Sequence, residues 1–356
     1  MVGLNAAIRI KSQEPRLKIL VIDRGFLPYG ASTRNAGFAC FGSISELLDD
    51  LKTESEDEVF ERVEKRYKGL KKLRANLGDS NIGYEEKGGY EIFTEADREL
   101  FDQCSEQLHY FNRQLKEITS SHKTYERCDN RILDFGFRQV TQMIRNNFEG
   151  QIDTGKMMLA LMRKAQQLNI LLINGIDVQS FSDSANGIEI ETGKEFSFPT
   201  KKMLVCNNGF AKQILPELNV EPARAQVLIT SPLKKIPFEG CFHYDRGYYY
   251  FRDVNNRILF GGGRNLNFGE ENTTDFGLTD EIQTQLEKLL RDMILPGQDF
   301  TVEQRWSGIM GLGSSKNTII QKVQPNIFCA VRLGGMGVAI GSLVGEEAAE
   351  LVLRDN

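Results

Sequence analysis

The chain has 356 residues, a formal net charge of −5 and 26% charged residues. Its length allows one large or two medium domains, and its acidic balance argues against a nucleic-acid partner held through phosphate contacts. No apolar run is long enough for an integral membrane segment. Six scattered cysteines without a C-x-x-C pair, and no secretory signal, predict free thiols and a cytoplasmic location. The three histidines lie far apart in the sequence, which predicts that no metal is bound.

The order of the predicted elements indicates a mixed α/β chain. Apolar spacing predicts helices near residues 3–11, 45–77, 95–118, 151–170, 279–294 and 338–353. Apolar and β-branched runs predict strands near 18–23, 89–93 and 201–210, several strands within 226–263, and a strand at 327–331. Both ends are therefore typical of α/β structure, with an antiparallel, β-rich insertion between them.

The first residues, MVGLNAAIRIK, are typical of the end of a dinucleotide-binding turn, where its helix begins. Asp23 ends the predicted strand about 20 residues after Gly3, where the fingerprint places an acid that accepts hydrogen bonds from ribose hydroxyls. Gly3 would be the third glycine of the fingerprint, which allows close packing of helix on sheet. The alternative is an ordinary helix, loop and strand whose last acid falls there by chance.

A second glycine-rich turn, Gly334-Gly335-Met336-Gly337, lies between the last predicted strand and the last predicted helix. Its backbone N–H groups would point at whatever lies beyond the helix start. A helix N-terminus suits the negative charge that a reduced flavin carries near N1 and its C2 carbonyl. The alternative is a tight packing turn.

Eight stretches in order, covering nearly the whole chain, resemble the FAD-dependent D-amino-acid oxidase superfamily, which includes glycine oxidase, sarcosine oxidase and gamma-glutamylputrescine oxidase. They are KILVIDRG, GASTRNAGF, QIDTGKMMLALMRKA, KMLVCNNGFA, EPARAQVLIT, YYYFR with NRILFGGGR, RWSGIMG and GGMGVAIGSLVGEEAAEL. The resemblance implies an α/β chain, α+β overall, with a discontinuous Rossmann-like FAD-binding domain over 1–48, 148–222 and 325–356. A substrate domain built on a mixed or antiparallel β-sheet would span 49–147 and 223–324.

The resemblance also implies which residues contact FAD. In the family, the stretch like GASTRN covers the pyrophosphate and the flavin edge, and a valine backbone holds the adenine. Hydroxyl, guanidinium and amide donors are the groups that a diphosphate and a flavin carbonyl require. The implied FAD-binding residues are Gly3, Asp23, Arg24, Ser32, Thr33, Arg34, Asn35, Ala36, Val178, Asn208, Gly209, Gly334, Gly335, Met336, Gly337 and Val338.

Two features depart from the family. Its first strand and first two phosphate-binding glycines would lie upstream of Met1, so we expect an incomplete chain whose neighbouring strands lack a partner. A family arginine that binds the substrate carboxylate corresponds to Met310, and another corresponds to Gly335, beside Met336 where a histidine is frequent. A pocket without these bidentate donors favours an amine or N-substituted amine over a simple amino acid.

The implied activity is oxidation of a C–N bond, with hydride transfer from the amine-bearing carbon to flavin N5 and hydrolysis of the resulting imine. Oxygen or another electron acceptor would complete the cycle. By period-2 alternation, one of two strand faces should line the pocket: Tyr248, Tyr250 and Arg252, or Tyr249 and Phe251. The candidate catalytic residues are Arg264, Tyr248, Tyr250 and Met336.

Two alternatives stay open. A D-amino-acid or glycine-type oxidase or dehydrogenase would use Arg264 as the anchor for the substrate carboxylate. A flavin-free binding or structural protein would account for the missing first strand. His243 is interpreted as a strand residue and Trp306 as a core residue.

Overall fold

The computed structural model describes residues 1–185, 187–193 and 196–355. Its α-helices are α1 Val2–Gln13, α2 Ala31–Arg34, α3 Ile44–Asp50, α4 Glu56–Leu77, α5 Asp79–Ile82, α6 Arg98–Thr119, α7 Ile132–Phe135, α8 Thr154–Gln167, α9 Phe268–Glu271, α10 Asp280–Leu289 and α11 Gly337–Arg354. Its strands are β1 Leu20–Asp23, β2 Phe38–Ala39, β3 Gly89–Thr94, β4 Tyr125–Arg127, β5 Val140–Asn146, β6 Gly150–Gln151, β7 Leu171–Asn174, β8 Val178–Ser184, β9 Gly187–Thr192, β10 Ser197–Thr200, β11 Met203–Val205, β12 Glu221–Thr230, β13 Cys241–Tyr244, β14 Tyr249–Val254, β15 Arg257–Gly262, β16 Val302–Leu312, β17 Ile319–Gln324 and β18 Ile327–Val331. This is a mixed α/β fold, as predicted.

A layer of parallel strands packs with helices α1, α8 and α11. Strand β1 pairs in parallel with β7, and β11 pairs in parallel with β18, whose other edge carries antiparallel β17. Among the described strands, β1 and β11 each pair on one edge alone, and Leu20 in β1 is exposed. The parallel layer is therefore in two parts, and a cleft lined by residues of β1 and β11 lies between them. The strand expected before Met1 stays a prediction.

Helix α11 packs closely against both α1 and α4, because small residues meet at the two contacts. A Cβ at Gly345 would lie 2.6 Å from the Asn5 Cβ of α1, and a Cβ at Gly69 of α4 would collide with the carbonyl oxygen of Ala339. A larger side chain at either glycine would force the helices apart. Helix α4, which lies in the predicted substrate domain, thus packs on α11, which lies in the predicted FAD-binding domain. The domain bounds stay a prediction.

The second layer is an eight-stranded mixed sheet with the order β16-β12-β15-β14-β13-β3-β5-β4. Its neighbours are antiparallel except β13 and β3, which run parallel. The hairpin between β14 and β15 turns at Asn255 and Asn256, both at positive φ, as its two-residue turn requires. One face of the sheet packs on a core rich in phenylalanine, with Phe242, Phe251 and Phe260.

The opposite face of this sheet carries polar side chains. His243 on β13 pairs with Tyr250 on β14 and with Glu91 on β3. Because directly paired residues project to the same side of a sheet, these three side chains share one face. This face lies towards the cleft, as His243 and Tyr250 both line the space that continues from it.

Two predicted helices differ from those observed. The stretch at 45–77 is divided into α3 and α4, because a capping box starts a new helix at Ser55. The Ser55 side chain accepts a hydrogen bond from the Glu58 N–H, and the Glu58 side chain accepts one from the Ser55 N–H. The helix at 279–294 is α-helical only to Leu289 and continues as a π-helical turn to Ile294. Within the described part of the chain, no helix is long and apolar enough to cross a membrane.

Candidate functional site

A cavity of about 2490 Å³ begins in the cleft between β1 and β11 and reaches the polar face of the eight-stranded sheet. This exceeds the roughly 300–1,000 Å³ of a typical single-ligand pocket. Most of the predicted site residues line it, namely Gly3, Asp23, Arg24, Ser32, Arg34, Asn35, Ala36, Val178, Asn208, Gly334, Gly335, Met336, Gly337, Val338, Tyr248, Tyr250 and Arg264. Thr33 and Gly209 are not among the lining residues. The structure thus brings nearly all the candidates to one cavity, and their individual roles stay predictions.

The glycine turn after β18 leaves room for a ligand on its cavity side. With respect to the described residues, a Cβ at Gly334 or Gly337 would have no neighbour within 4 Å, and one at Gly335 would meet Met310 Sδ at 3.9 Å. Helix α11 begins at Gly337, where no described side chain caps the helix, and its first turn contains no acidic residue. The exposed N–H groups and the helix dipole therefore favour an anionic group at this position.

The ends of β1 and β7 form the opposite side of the cleft. Asp23 ends β1, and its Oδ1 accepts from the N–H of Gly25 at 2.8 Å, which orients the carboxyl group. The Arg24 guanidinium lies 4.0 Å from the ring centre of Phe210. Val178, the first residue of β8, lines the same space.

Gly3 lies in the first turn of α1, where the resemblance implied close packing of helix on sheet. A Cβ at Gly3 would lie 3.5 Å from the Cys206 Cβ, an ordinary van der Waals contact. An alanine would therefore also fit here. The closest approach of α1 to its neighbours is at Gly345 of α11 instead.

The loop at 28–37 uses its polar side chains to hold its own shape. Both polar atoms of the Asn35 amide bond to backbone groups of this loop. The Thr33 hydroxyl donates to the carbonyl oxygen of Pro28 at 2.8 Å. These two residues therefore position the loop, and the cofactor contacts that the resemblance implies for them stay predictions.

Arg34 is held firmly beside the cavity. Its guanidinium donates to the carbonyl oxygen of Ser307 at 2.8 Å and stacks on the Tyr29 ring at 3.9 Å and the Phe276 ring at 4.7 Å. Trp306 was expected to be a core residue. It is half-buried instead, and its Nε1 donates to the carbonyl oxygen of Arg34 at 3.0 Å, which fixes this loop to β16.

Asn208 and Gly209 support the glycine turn from behind. The Asn208 Oδ1 accepts from the N–H groups of Arg332 and Leu333 at 3.0 and 3.2 Å. A Cβ at Gly209 would collide with the carbonyl oxygen of Met310. Asn208 therefore fixes the backbone just before Gly334, and Gly209 allows this segment to pack closely on β16.

Replacing Asn208 with leucine is expected to lower the free energy of unfolding by about 1–3 kcal/mol, because two backbone N–H groups lose their acceptor. Asn208→Asp keeps an acceptor oxygen and tolerates the positive φ of this position, so it should lose much less. Urea unfolding of the two variants and the wild type measures the difference. Equal midpoints for the leucine and aspartate variants would contradict the role assigned to Oδ1.

The far end of the cavity is an aromatic wall. The Phe38 ring meets the rings of His243 and Tyr250 edge to face, with centroids 5.2 and 5.7 Å apart. Burial raises the pKa of Tyr250 to about 12, so its hydroxyl is a neutral hydrogen-bond donor. Of the two candidate strand faces, the one with Tyr250 lines the cavity, and Tyr249 lies in the phenylalanine-rich core.

Arg264 provides a guanidinium group at the edge of this wall. It donates to the Asn272 Oδ1 at 2.6 Å and stacks on the Phe268 ring at 4.8 Å. Its Nε is buried and has no hydrogen-bond partner among the described residues. Met336 is the N-cap of α11 and packs against the main hydrophobic core.

A buried cluster of three polar side chains lies beside Tyr250 and was not predicted from the sequence. A Cys40 sulfur, a Glu149 oxygen and a His243 nitrogen lie within 4.8 Å of one another. The Glu149 Oε1 accepts from the N–H groups of Phe41 and Gly42 at 2.9 and 3.1 Å. Burial raises the pKa of Glu149 to about 7 and lowers that of His243 to about 4, so Glu149 keeps its proton to a higher pH than an ordinary carboxyl and His243 is a neutral imidazole.

Known proteins share this architecture. The glycine oxidase of Geobacillus kaustophilus has a TM-score of 0.77 at 17% identity, covering 99% of this chain and 93% of that one. The L-proline dehydrogenase of P. horikoshii has a TM-score of 0.76 at 16% identity, covering 99% and 91%. The iminodiacetate oxidase of Chelativorans sp. BNC1 has a TM-score of 0.75 at 18% identity, covering 100% and 94%. At these identities, the likenesses show a shared fold.

Sequence comparison leads to a family. A probable oxidoreductase, OrdL, of Haemophilus influenzae is 19% identical over 99% of this chain and 81% of its own length. The family model described as FAD dependent oxidoreductase matches residues 1–351. The cofactor prediction is thereby confirmed, and the alternative of a flavin-free protein loses its support. The open glycine turn and the uncapped start of α11 fit the negative charge that the reduced flavin of that cofactor carries near N1 and its C2 carbonyl. This chain belongs to the family of FAD-dependent oxidoreductases.

Proposed function

We propose that this chain oxidises the C–N bond of an amine or amino-acid-like substrate, giving an imine that water hydrolyses. The observation that carries the proposal is the continuity of one cavity from the glycine turn at 334–337 to the aromatic wall of Phe38 and Tyr250. The names of three structural neighbours, a glycine oxidase, a proline dehydrogenase and an iminodiacetate oxidase, support an amine or amino acid as substrate. When bound, FAD supplies the acceptor for the hydride that leaves the amine-bearing carbon.

The two parts of the cavity have separate tasks in this proposal. The glycine turn and the N-terminus of α11 would lie against the flavin near N1 and its C2 carbonyl, and the loop at 28–37 would cover the diphosphate. Asp23 and Val178 would bind the ribose and adenine. The eight-stranded sheet presents the substrate wall. The FAD-binding part is then made of 1–48, 148–222 and 325–356, and the substrate part of 49–147 and 223–324, with the reaction between them.

The side chains nearest the glycine turn favour a substrate without a tightly held carboxylate. Met310 Sδ lies 3.9 Å from the Cβ position of Gly335, so an apolar thioether occupies this place. The Arg34 guanidinium is already engaged with Ser307 and two aromatic rings. An amine or N-substituted amine therefore fits this end of the cavity best, oriented by Phe38 and the neutral hydroxyl of Tyr250.

A second candidate is an amino-acid substrate whose carboxylate binds Arg264. The buried Arg264 Nε without a partner favours it, because a bidentate carboxylate would satisfy that N–H. Tyr248 precedes β14 on the same side and lines the cavity.

Substitution of Arg264 by leucine separates the two substrate classes. If the substrate is an amino acid, kcat/KM should fall by about 10- to 150-fold, because a charge-assisted hydrogen-bond pair is lost. If the substrate is a neutral amine, kcat/KM should change less than about threefold. Arg257→Leu is the matched control, because Arg257 starts β15 and pairs with Glu303 away from the cavity. A uniform loss in both variants would exclude a specific role for Arg264.

The first experiment on the proposed function is an absorption spectrum of the purified chain before and after acid precipitation. Flavin bands in the supernatant are expected for non-covalent FAD. Matched pairs of amines and amino acids should then be tested for loss of the oxidised flavin band without oxygen, and for turnover with oxygen or an artificial acceptor. A flavin-loaded chain that no amine or amino acid reduces would overturn the proposed function.

A further inference from the structure

A second, much smaller cavity lies beside the large one. Its volume is about 10 Å³, which is close to the ~10–15 Å³ that one water molecule needs. Glu91, Glu149 and Asn146 line the small cavity, and His243 lines both cavities. Ser43 also lines both cavities, so His243 is the titratable side chain that borders the two.

Two buried polar atoms around the small cavity lack a hydrogen-bond partner within the described ranges. They are His243 Nε2 and Asn146 Nδ2. The Asn146 Oδ1 already accepts from the N–H of Phe148 at 3.0 Å, which fixes the amide with its NH₂ group unpaired. Buried polar groups are nearly always paired, and one water with two to four polar partners would pair both atoms.

The two carboxyl groups at this cavity are held rigidly by neighbouring backbone and hydroxyl groups. Glu91 accepts from the N–H of Ser45 at 3.2 Å and also from its hydroxyl. Glu149 accepts from the two N–H groups after Cys40. Both carboxyl groups are almost completely buried.

We propose that Glu91, Glu149 and one water in the small cavity form, with His243, a relay that takes up the proton of the substrate's ammonium group. The inference rests on the proposed function, because an amine must lose this proton before its carbon can release a hydride. The neutral imidazole has two distinct nitrogens, so it can accept a proton at one and release a proton at the other.

The step is a proton transfer without electron transfer. An N–H bond of the ammonium group breaks, and its proton goes to one nitrogen of His243, while the amine keeps the electron pair. The other nitrogen releases its proton to the water, and the water passes one to a carboxylate, which becomes a carboxylic acid. Burial lowers the pKa of His243 to about 4. The imidazolium form therefore does not accumulate, and the ring passes the proton on.

The carboxyl groups suit the role of proton store. Burial raises the pKa of both Glu91 and Glu149 to about 7, so each is partly ionised at neutral pH and can accept a proton. The titratable and charged groups near them are Glu46 on α3, Arg66 on α4, Cys40 after β2, Cys104 on α6, Tyr125 on β4 and Cys241 on β13, and Tyr250 on β14 pairs with His243. The Glu46 charge raises the pKa of both carboxyl groups further, and Arg66 and Lys316 partly offset that charge.

A bound metal ion is the competing explanation for the Cys40, Glu149 and His243 group. The unpaired NH₂ group of Asn146 argues against it, because a donor that lines the small cavity repels a cation. Water is therefore the occupant that satisfies the described groups.

Infrared spectroscopy of the full chain tests the relay without needing activity. We expect a carboxylic-acid C=O band that disappears with a midpoint near pH 7 and loses intensity in Glu91→Gln and in Glu149→Gln. His243→Gln should shift this midpoint, whereas Glu85→Gln, a nearby carboxyl outside the small cavity, should leave it unchanged. Carboxyl groups that are ionised throughout pH 5–9, or one equivalent of bound Zn²⁺ after incubation with that ion, would overturn the proposal.

Steady-state kinetics provide the second test. We expect His243→Gln to lower kcat/KM for an amine by about 10²- to 10⁴-fold at pH 7. As pH rises, this loss of kcat/KM should become about tenfold smaller for each pH unit, because a larger fraction of the amine binds in its neutral form. A loss of kcat/KM that is the same at every pH indicates a structural role for His243 and overturns the relay. A Glu149→Gln variant whose profile of kcat/KM against pH keeps its acidic limb at the wild-type position also overturns it.

The two tests separate this inference from the proposed function. If the flavin-loaded chain oxidises no amine, the proposed function fails, while the infrared titration still decides whether His243 and the two carboxyl groups share protons. If amines are oxidised but the infrared band is absent, the relay alone fails. Flavin absorbance and thermal unfolding of each variant identify any loss that is due to misfolding.

Discussion

Replacing Gly337 with valine is expected to weaken FAD binding by about 5- to 150-fold while leaving the unfolding of the cofactor-free chain nearly unchanged. Gly337 is the first residue of α11, and a Cβ there meets none of the described atoms within 4 Å. The valine methyl groups would therefore fit the free protein but occupy the space beside the helix N-terminus. Forcing extra methyl groups into a filled site costs about 1–3 kcal/mol, which corresponds to the expected change in affinity.

Titration of apoprotein with FAD, followed by flavin fluorescence, measures this effect. Gly269→Val is the matched control, because Gly269 also lies in the first turn of a helix with space around it but does not line the large cavity. Thermal unfolding without FAD should show similar midpoints for both variants. If Gly337→Val binds FAD as tightly as the control, the flavin does not lie at this turn.

The glycine turn could be predicted from sequence because its signals are local. An apolar strand, a run of glycines and an apolar helix follow each other directly, and strand β18 and helix α11 match the predicted limits to within one residue. The same holds for the hairpin at Asn255 and Asn256, since its turn residues and flanking strands are adjacent. Short-range patterns of this kind fix the backbone without knowledge of distant contacts.

The polar cluster could not be predicted, because it depends on pairing between distant strands. Glu91 and His243 meet only because β3 and β13 run parallel in register, which no local pattern specifies. Glu149 joins them by accepting from the N–H groups that follow Cys40, more than a hundred residues earlier. One signal was available in the sequence. Glu91 is a charged residue inside an otherwise apolar strand, and burying a charge is costly unless it is paired or hydrogen-bonded.

The position of the loop at 28–37 was predicted, and the roles that the resemblance implies for its side chains stay predictions. The residue types were those that bind a diphosphate, but Thr33 and Asn35 bond to the loop's own backbone. Composition cannot distinguish a donor that faces a ligand from one that closes a turn, because Asn and Thr do both. The anchoring of Arg34 by Trp306 was also beyond prediction, since 272 positions separate them.

Replacing Glu149 with glutamine is expected to make the protein more stable than the wild type at alkaline pH. The folded state raises the pKa of Glu149 from 4.5 to about 7, so between these values it binds a proton that the unfolded chain has released. The free energy of unfolding then falls as pH rises through this window. Above pH 7 the penalty for ionising this buried carboxyl reaches roughly 3 kcal/mol, and a neutral glutamine avoids it.

The measurement is the difference in unfolding free energy between Glu149→Gln and the wild type from pH 4 to pH 9. The difference removes the opposing contribution of His243, whose lowered pKa makes folding less favourable as pH falls from 6.5 to 4. The curve should be flat below about pH 4.5 and should rise to its plateau above pH 7. Glu46→Gln is the control with the opposite sign: burial alone would raise the pKa of Glu46, but Arg66 and Lys316 outweigh it and lower the pKa to about 2. Glu46 therefore stabilises the folded state above pH 4.5, and its loss should cost stability there. A flat difference curve for Glu149→Gln would show that folding leaves the pKa of this carboxyl at its unfolded value.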